Sequence, residues 1–305
     1  MSRLRQAGYR LLGSRFDYLL HLRPVEWPIM AAHTAVGYLL AVGVVGAVHG
    51  ERLAPAVLGL VLWVACLNGG TLALNSAFDR DEGDIAYLRN PPPPPAGLAA
   101  FALALMAVGQ GVSFALPPGY RVAYAACFVL SVLYSVPPFR LKAVAGADWL
   151  INMIGFGTLT PLAGWASTGR PLGPGGAIVV LAFCPLFAGL YPLTQLYQIE
   201  EDTRRGDRTL ARILGVRRSL EVSLAAVAAA FALFTWGALR TGWSSPETEW
   251  RWALLGLALL AWLTVLVPWR AGAAGWSSAQ HQRGMYRALA AWAVTDLAVV
   301  LAWAT

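Results

Sequence analysis

The chain has 305 residues, of which 57% are hydrophobic and 13% are charged. Charged residues make up about a quarter of an ordinary soluble domain, so this composition excludes a soluble protein and indicates one that is integral to a membrane. The formal net charge is +7, which an uneven distribution of basic residues across a membrane explains without a nucleic-acid partner.

The N-terminal segment, residues 1–22, mixes Arg with Leu, Tyr and Phe ahead of the first long apolar run. This mixture predicts a segment that lies at the surface of an anionic membrane. It has no short apolar core followed by a small-residue cleavage site, so we do not expect a secretory signal. The remainder, residues 23–305, is predicted to be a single transmembrane domain.

Nine apolar runs follow, each close to the ~20 residues that cross the hydrocarbon core of a bilayer. Their approximate positions are 27–48, 54–77, 97–116, 120–137, 147–168, 175–198, 218–239, 250–268 and 285–304. If the N-terminus is cytoplasmic, the basic residues on the outer side are Arg52, Arg121, Arg170, Arg240 and Arg251, and the other 18 of the 23 face the cytoplasm. Because basic residues concentrate in cytoplasmic loops, this asymmetry favours nine spans, in what we expect to be a bacterial plasma membrane.

A run of five prolines, residues 91–95, separates the second apolar run from the third. Proline cannot continue a helix and favours a stiff, extended backbone. We expect a rigid connector here, and a contact surface for a partner is the alternative.

Two short segments hold eight of the 16 acidic residues and share the pattern amide-x3-Asp-x3-Gly-Asp. They begin at Asn75 and Gln198 and close the second and sixth spans, so both are expected on the cytoplasmic side. Mg²⁺ prefers hard oxygen ligands and is usually held by one or two carboxylates together with substrate phosphates. A chance likeness of two helix ends is the alternative. The predicted metal ligands are Asn75, Asp79, Asp84, Gln198, Glu201 and Asp202.

The helical spacing of these segments predicts a polar cavity. Residues four and seven apart share a helix face, which places Asn68, Asn75 and Asp79 on one side of the second span and Gln195, Gln198 and Asp202 on one side of the sixth. Polar groups inside a bilayer are costly unless they face a cavity or each other. A buried, hydrogen-bonded helix pair would explain the amides but not the carboxylates. The predicted lining residues are Asn68, Asn152, Tyr191, Gln195 and Tyr197.

Basic residues beside these segments would attract a phosphate. The sequence Tyr134-Ser-Val-Pro-Pro-Phe-Arg140-Leu-Lys142 supplies two of them at the end of the fourth span. Arg can pair with two phosphate oxygens at once, whereas Lys acts as a point charge. Any one of these residues could instead serve only to orient the chain in the membrane. The predicted phosphate-binding residues are Arg23, Arg140, Lys142 and Arg205.

The order of these motifs resembles that of the UbiA superfamily of intramembrane prenyltransferases, from Arg23-Pro24 through the last span. The resemblance implies an all-α integral membrane protein with nine transmembrane helices around a central cavity open to the cytoplasm. It implies transfer of an isoprenoid chain from an allylic polyprenyl diphosphate to a lipid or aromatic acceptor. It also implies that both acidic segments bind Mg²⁺ and diphosphate.

The chain departs from the family pattern at three positions. Gly83 stands where the first segment usually has its last Asp, Gln198 stands where the second usually has its first Asp, and Asn90 replaces the Arg of an Arg-Pro pair. We therefore expect Asp79 and Asp202 to be the principal ligands. Either Gln198, through its amide oxygen, or Glu201 would complete the second segment.

Ionisation of an allylic C–O bond puts negative charge on the diphosphate and positive charge on the prenyl carbons. Asp79 and Asp202 are expected to act in catalysis through the metal, and Tyr134 through its aromatic face beside the cation. Aromatic residues are also common at membrane interfaces without such a role. A membrane terpene cyclase is an alternative function, and a transporter is a more distant one because both acidic segments end on the same side.

One acidic residue, Asp296, lies within the last span, where an ionisable group suggests function. It could contact the acceptor, pair with His33 of the first span or hydrogen-bond a neighbouring helix.

Overall fold

The computed structural model describes residues 3–79, 85, 88 and 90–305. The regular secondary structure in this part of the chain is helical. In the N-terminal half the helices are α1 Arg3–Leu12, α2 Phe16–His21, α3 Trp27–Val48, α4 Leu53–Val61, α5 Gly69–Asp79, α6 Leu98–Val112, α7 Pro118–Ser135, α8 Ala147–Asn152 and α9 Thr160–Ser167. In the C-terminal half they are α10 Pro174–Gln195, α11 Ile199–Arg205, α12 Leu210–Arg240, α13 Glu249–Gly272 and α14 Ser278–Ala304.

Seven helical segments of the described chain are long and apolar enough to cross a membrane. They are Trp27–Val48, Leu53–Asp79, Leu98–Ala115, Pro174–Gln198, Leu210–Arg240, Glu249–Gly275 and Ser278–Ala304. The other two predicted spans correspond to α7 and to α8 with α9, which are helical but contain polar residues such as Arg121, Asp148 and Asn152. The protein is therefore an all-helical, multi-pass membrane protein, and the count of nine spans stays a prediction.

Two of the long helical segments contain a π-helical stretch, Leu62–Asn68 between α4 and α5 and Met153–Leu159 between α8 and α9. A π-turn adds a residue to a helical turn, and such turns are frequent at functional sites. The first stretch ends at the polar residue Asn68, and the second begins directly after Asn152. The predicted runs 54–77 and 147–168 gave no sign of these irregularities.

Helices α3 and α9 approach each other closely through glycine. A Cβ atom added at Gly37 would overlap the carbonyl oxygen of Pro161, and one added at Gly164 would overlap that of Thr34. Membrane helices use small residues for such close packing. This contact fixes the first span against the helix that follows the second π-helical stretch.

The apolar core has two parts. One is built mainly from α10, α12, α13 and α14 and includes Phe187 and Trp292. The other is built mainly from α3 to α7 and α9 and includes Met30 and Leu67. Phe156 packs against both. Each part contains one of the helices that lead into an acidic segment, so the two segments come from opposite halves of the molecule.

Candidate active site

A cavity of about 310 Å³ lies between the two halves of the core, within the usual size range of small-molecule sites. Its apolar wall includes Leu67, Leu130, Phe156, Phe187, Leu289 and Trp292. Its polar lining includes Arg23, Glu26, Asn68, Thr71, Asn75, Ser131, Tyr134, Asn152, Tyr191 and Tyr197. The structure thus places four of the five predicted lining residues at one cavity.

Gln195 is the exception and requires a correction. Its side chain donates from Nε2 to Asp148 Oδ2 at 2.8 Å, and its Oε1 accepts from the backbone N–H of Ala211 at 3.2 Å. The prediction assumed a regular α-helix through this segment, but residues Leu196–Gln198 form a 3₁₀ turn. Because a 3₁₀ turn has three residues rather than 3.6, Gln195 does not keep the face expected from its spacing to Gln198.

Asp148, which the sequence analysis did not single out, organises this buried network. It is fully buried, and it accepts hydrogen bonds from the backbone N–H of Gly146 at 2.9 Å and of Leu210 at 3.1 Å, as well as from Gln195. Leu210 begins α12, and a carboxylate is stabilising at a helix N-terminus. Asp148 therefore joins α8, α10 and α12. Its position in the first turn of a helix, two residues after Gly146, was the available signal.

The first acidic segment meets the predicted basic residues at the edge of the cavity. Lys142 Nζ donates to Asn75 Oδ1 at 2.8 Å and also forms an ion pair with Asp79 Oδ1. The side chains of Lys142 and Asp79 are each only 9% exposed. Since Asn75 also lines the cavity, this buried group of charges adjoins the enclosed space.

Arg140 connects the two acidic segments. Its guanidinium donates to both carboxylate oxygens of Asp207, at 2.7 and 3.4 Å, and one Nη lies 3.5 Å from Asp79 Oδ1. The backbone N–H of Arg208 donates to the carbonyl of Ala143 at 3.2 Å. The loop that follows α7 is thereby held between the ends of α5 and α11.

The second segment ends as its sequence pattern indicates. Gly206 terminates α11 with a φ of +79°, a backbone conformation that favours glycine. Asp202 Oδ2 accepts from the Thr209 hydroxyl at 2.9 Å, and Gln198 Nε2 donates to the Tyr197 hydroxyl at 3.2 Å. Three predicted site groups, Asp84 and the side chains of Glu201 and Arg205, lie outside the described part of the chain.

The turn before α3 brings two charged residues to the cavity. Arg23 is buried, and its guanidinium donates to the Ser76 hydroxyl at 3.1 Å, beside Asn75 on α5. Glu26, which the sequence analysis did not identify, is buried and lines the same cavity. Burial raises the pKa of the Glu26 carboxyl to about 7, although the charge of Arg23 opposes this shift.

Aromatic side chains form much of the remaining wall. The hydroxyl groups of Tyr134 and Tyr191 lie 3.0 Å apart. The ring of Phe187 stacks on that of Phe156 at 4.8 Å between centroids and on that of Tyr191 at 6.2 Å. Such faces can stabilise a cation that is shielded from water.

Asp296 pairs with His33, one of the three possibilities that the sequence left open. Its Oδ1 lies 3.0 Å from His33 Nδ1, and its Oδ2 accepts from Trp292 Nε1 at 3.1 Å. His33 and Asp296 are buried, whereas Trp292 contributes to the cavity wall. The pair therefore joins α3 to α14 and fixes the orientation of Trp292.

The donor chemistry of the two segments suits Mg²⁺. Asn75, Asp79, Gln198 and Asp202 offer oxygen atoms, the ligand type that Mg²⁺ prefers. Among the residues that the structure describes, no three or more His, Cys, Asp or Glu side chains are grouped so as to hold a metal.

Comparison with known proteins identifies the family. The model of the UbiA prenyltransferase family matches residues 30–289. The chain belongs to this family. It is 27% identical over 289 residues to the lycopene elongase/hydratase of Haloferax volcanii, covering 85% of this chain and 91% of that relative. It is 29% identical over 293 residues to the digeranylgeranylglyceryl phosphate synthase of Natronomonas pharaonis, covering 92% and 96%.

A solved structure supports the same fold. The UbiA homolog from Archaeoglobus fulgidus bound to DMAPP and Mg²⁺ superposes with a TM-score of 0.66 at 20% identity, covering 92% of this chain and 99% of that chain. Identity this low establishes shared architecture alone. Together with the family match, it confirms the resemblance inferred from motif order, and the protein is a prenyltransferase of the UbiA family.

Proposed function

We propose that this UbiA-family enzyme ionises an allylic polyprenyl diphosphate and joins its isoprenoid chain to a hydrophobic acceptor within the cavity. The observation that carries the proposal is the division of the cavity into a charged edge and an aromatic, apolar interior. The charged edge is Asn75 with Asp79, Lys142 and Arg140. The interior has a volume of about 310 Å³ and is walled by Phe156, Phe187 and Trp292 among others.

The basic residues would bind the diphosphate. Lys142 and Arg140 lie beside Asp79, and Arg23 lines the cavity and donates to Ser76, next to Asn75. Arg205 is a further proposed contact. Their charges would hold the leaving group as negative charge develops on it, which is the largest electrostatic demand of the reaction. The buried Nδ2 of Asn68 has no hydrogen-bond partner among the described residues, so it offers one more donor at the cavity.

The acidic segments would hold Mg²⁺, the cofactor that we assign to the enzyme. Asn75, Asp79 and Asp202 are the principal proposed ligands, and Asp84, Gln198 and Glu201 are the others. When bound, the metal supplies positive charge to the diphosphate oxygens. The Archaeoglobus fulgidus homolog, which was solved with DMAPP and Mg²⁺, supports this assignment.

The aromatic wall would protect the prenyl cation. Tyr134 and Tyr191 hold each other through their hydroxyl groups, so their rings are fixed rather than free to turn. Phe187 stacks on Tyr191. A rigid, apolar surround excludes water, which would otherwise capture the cation as a free alcohol.

The acceptor is proposed to be a hydrophobic, lipid-like molecule. The relatives named lycopene elongase/hydratase and digeranylgeranylglyceryl phosphate synthase support this class over a water-soluble one. We further propose nine spans with the charged edge towards the cytoplasm and residues 1–22 at the membrane surface.

A donor-turnover assay tests the proposal. The purified protein in lipid nanodiscs is incubated with geranylgeranyl diphosphate labelled in the prenyl chain, in the presence of Mg²⁺ and a lipid extract of the source cells. We expect released diphosphate and label in a new lipid, both abolished by EDTA. Full release in EDTA would contradict the metal-diphosphate mechanism, and label in a hydrocarbon ring product without acceptor would indicate a cyclase.

A further inference from the structure

Glu26 is a buried acidic residue in the cavity wall. The proposed ionisation of the diphosphate donor gives it no role. It is 7% exposed and lines the same enclosed space as Asn75 and Tyr134. No hydrogen bond or ion pair reaches its carboxyl group from the residues that the structure describes. Burying a carboxyl group that makes no hydrogen bond costs stability even with the charge of Arg23 nearby, so its place in the wall suggests a role in binding or chemistry.

Glu26 is linked through Arg23 to the helix that carries Asn75. Its backbone N–H donates to the carbonyl of Arg23 at 2.9 Å, one turn earlier, and Arg23 in turn contacts Ser76 next to Asn75. The carbon that reacts in an allylic diphosphate is bonded directly to the diphosphate. An acceptor must therefore bring its nucleophilic atom to the proposed diphosphate site, within reach of the elements that carry Glu26 and Asn75.

We propose that Glu26 binds a hydroxyl group of the acceptor and accepts its proton during transfer, an assignment that rests on the proposed prenyl transfer. The acceptor oxygen forms a bond to the first carbon of the prenyl chain. The bond from that carbon to the diphosphate oxygen breaks, and its electron pair leaves with the diphosphate. The hydroxyl proton passes to the Glu26 carboxylate, so the acceptor belongs to the class of hydrophobic alcohols or phenols.

The electrostatic environment of Glu26 is compatible with a role as proton acceptor. The other charged or titratable groups that line the cavity are Arg23, Cys127, Tyr134, Tyr191, Tyr197 and Tyr286. Arg23 remains charged at all relevant pH values, and thiols and phenols ordinarily titrate above pH 8. Because burial raises the pKa of Glu26 to about 7, the carboxyl group can both lose and accept a proton near neutrality.

The test measures transfer to the acceptor separately from ionisation of the donor. Wild type, Glu26→Gln and Glu26→Asp are assayed with labelled geranylgeranyl diphosphate, once alone and once with the lipid extract of the source cells. We expect Glu26→Gln to lower labelled lipid by about 100-fold, with diphosphate release from the donor alone reduced by less than about 3-fold. Glu26→Asp should recover part of the transfer. Glu247→Gln, the same change at an exposed residue, should match wild type.

A pH profile adds a readout that a merely structural role would not change. The carboxylate is the active form, so wild-type transfer should rise as pH increases through about 7 and then level off, whereas Glu26→Gln should lack this rise. Two results with Glu26→Gln would overturn the assignment: normal transfer, or a loss of transfer that is matched by an equal loss of donor ionisation. Diphosphate release by the wild type without any labelled lipid would also overturn it. Absence of diphosphate release by wild type would instead contradict the proposed function.

Discussion

Asp79 lies between two cations, and this position sets what its substitution should do. Lys142 and Arg140 both approach the same carboxylate oxygen, so removing the negative charge leaves two buried or half-buried cations less compensated. In the second segment Asp202 is held by Thr209. Neighbouring side chains therefore hold both carboxylates in place.

Asp79→Asn and Asp202→Asn should each lower donor turnover at least ~100-fold, because each removes a proposed anionic metal ligand that would act on the developing charge. The measurement is diphosphate release at saturating Mg²⁺, with folded protein monitored by size-exclusion chromatography and Glu247→Gln as the charge-matched control. Near-normal turnover in both Asn variants would show that the acidic segments do not hold the metal.

Gln198 and Glu201 compete for one role in the second segment. If Gln198 is a ligand, Gln198→Asp should lower the half-saturating Mg²⁺ concentration about tenfold, because an anionic ligand adds Coulomb attraction in a partly wet site. Gln198→Leu should raise that concentration. Measuring the Mg²⁺ dependence of turnover in these variants and in Glu201→Gln decides the question. Unchanged half-saturation in both Gln198 variants, with a large shift in Glu201→Gln, would assign the ligand to Glu201.

At the scale of elements, the site depends on contacts that tie separate helices together. Arg140 joins the loop after α7 to the ends of α5 and α11. Asp148 joins α8 and α10 to the first turn of α12. The second of these contacts is buried, so its loss should appear in stability rather than directly in chemistry.

Asp148→Ala should destabilise the protein by about 3 kcal/mol, because it leaves the Gln195 amide and the Leu210 N–H buried without their acceptor. The measurement is the shift of the thermal unfolding midpoint in detergent. Asp148→Asn, which keeps an oxygen acceptor, should cost less and serves as the comparison. An unchanged unfolding midpoint in Asp148→Ala would show that these contacts of Asp148 do not stabilise the protein.

Sequence reasoning identified elements better than the irregularities within them. The run predicted at 27–48 coincides with Trp27–Val48, and the one at 175–198 lies within Pro174–Gln198, because ~20 apolar residues have few alternatives to a membrane helix. The π-helical stretches and the 3₁₀ turn at Leu196–Gln198 depend on tertiary packing. They carry no signal in composition, which is why Gln195 was misplaced.

At the scale of the molecule, the two halves of one chain bring the acidic segments close together, since Arg140 contacts both Asp79 and Asp207. The matched spacing of Asn75–Asp79 and Gln198–Asp202 indicated this convergence, since chance rarely repeats such a pattern. Glu26 could not be foreseen, because a single acid before a first span resembles an ordinary helix-end charge. Its burial and place in the cavity wall emerge only when α3 packs against the other helices.

The membrane topology is a prediction from the distribution of basic residues. Reporters fused after residues 88 and 208 should both lie in the cytoplasm, and reporters after residues 170 and 245 should lie on the opposite side, because the basic residues are concentrated in the former loops. The measurement is the ratio of cytoplasmic to external reporter activity at each site. A cytoplasmic signal at both 170 and 245 would show that the count of nine spans is wrong.

The central claim is that one cavity binds the donor, with its diphosphate at the charged edge and its prenyl chain against the aromatic wall. A structure of the protein with Mg²⁺ and geranylgeranyl thiodiphosphate, a donor that ionises slowly, tests it most directly. We predict diphosphate density in contact with Arg140 and Lys142, metal density between it and Asp79 and Asp202, and the chain beside Phe187. Donor density outside this cavity, or a diphosphate remote from both acidic segments, would contradict the account.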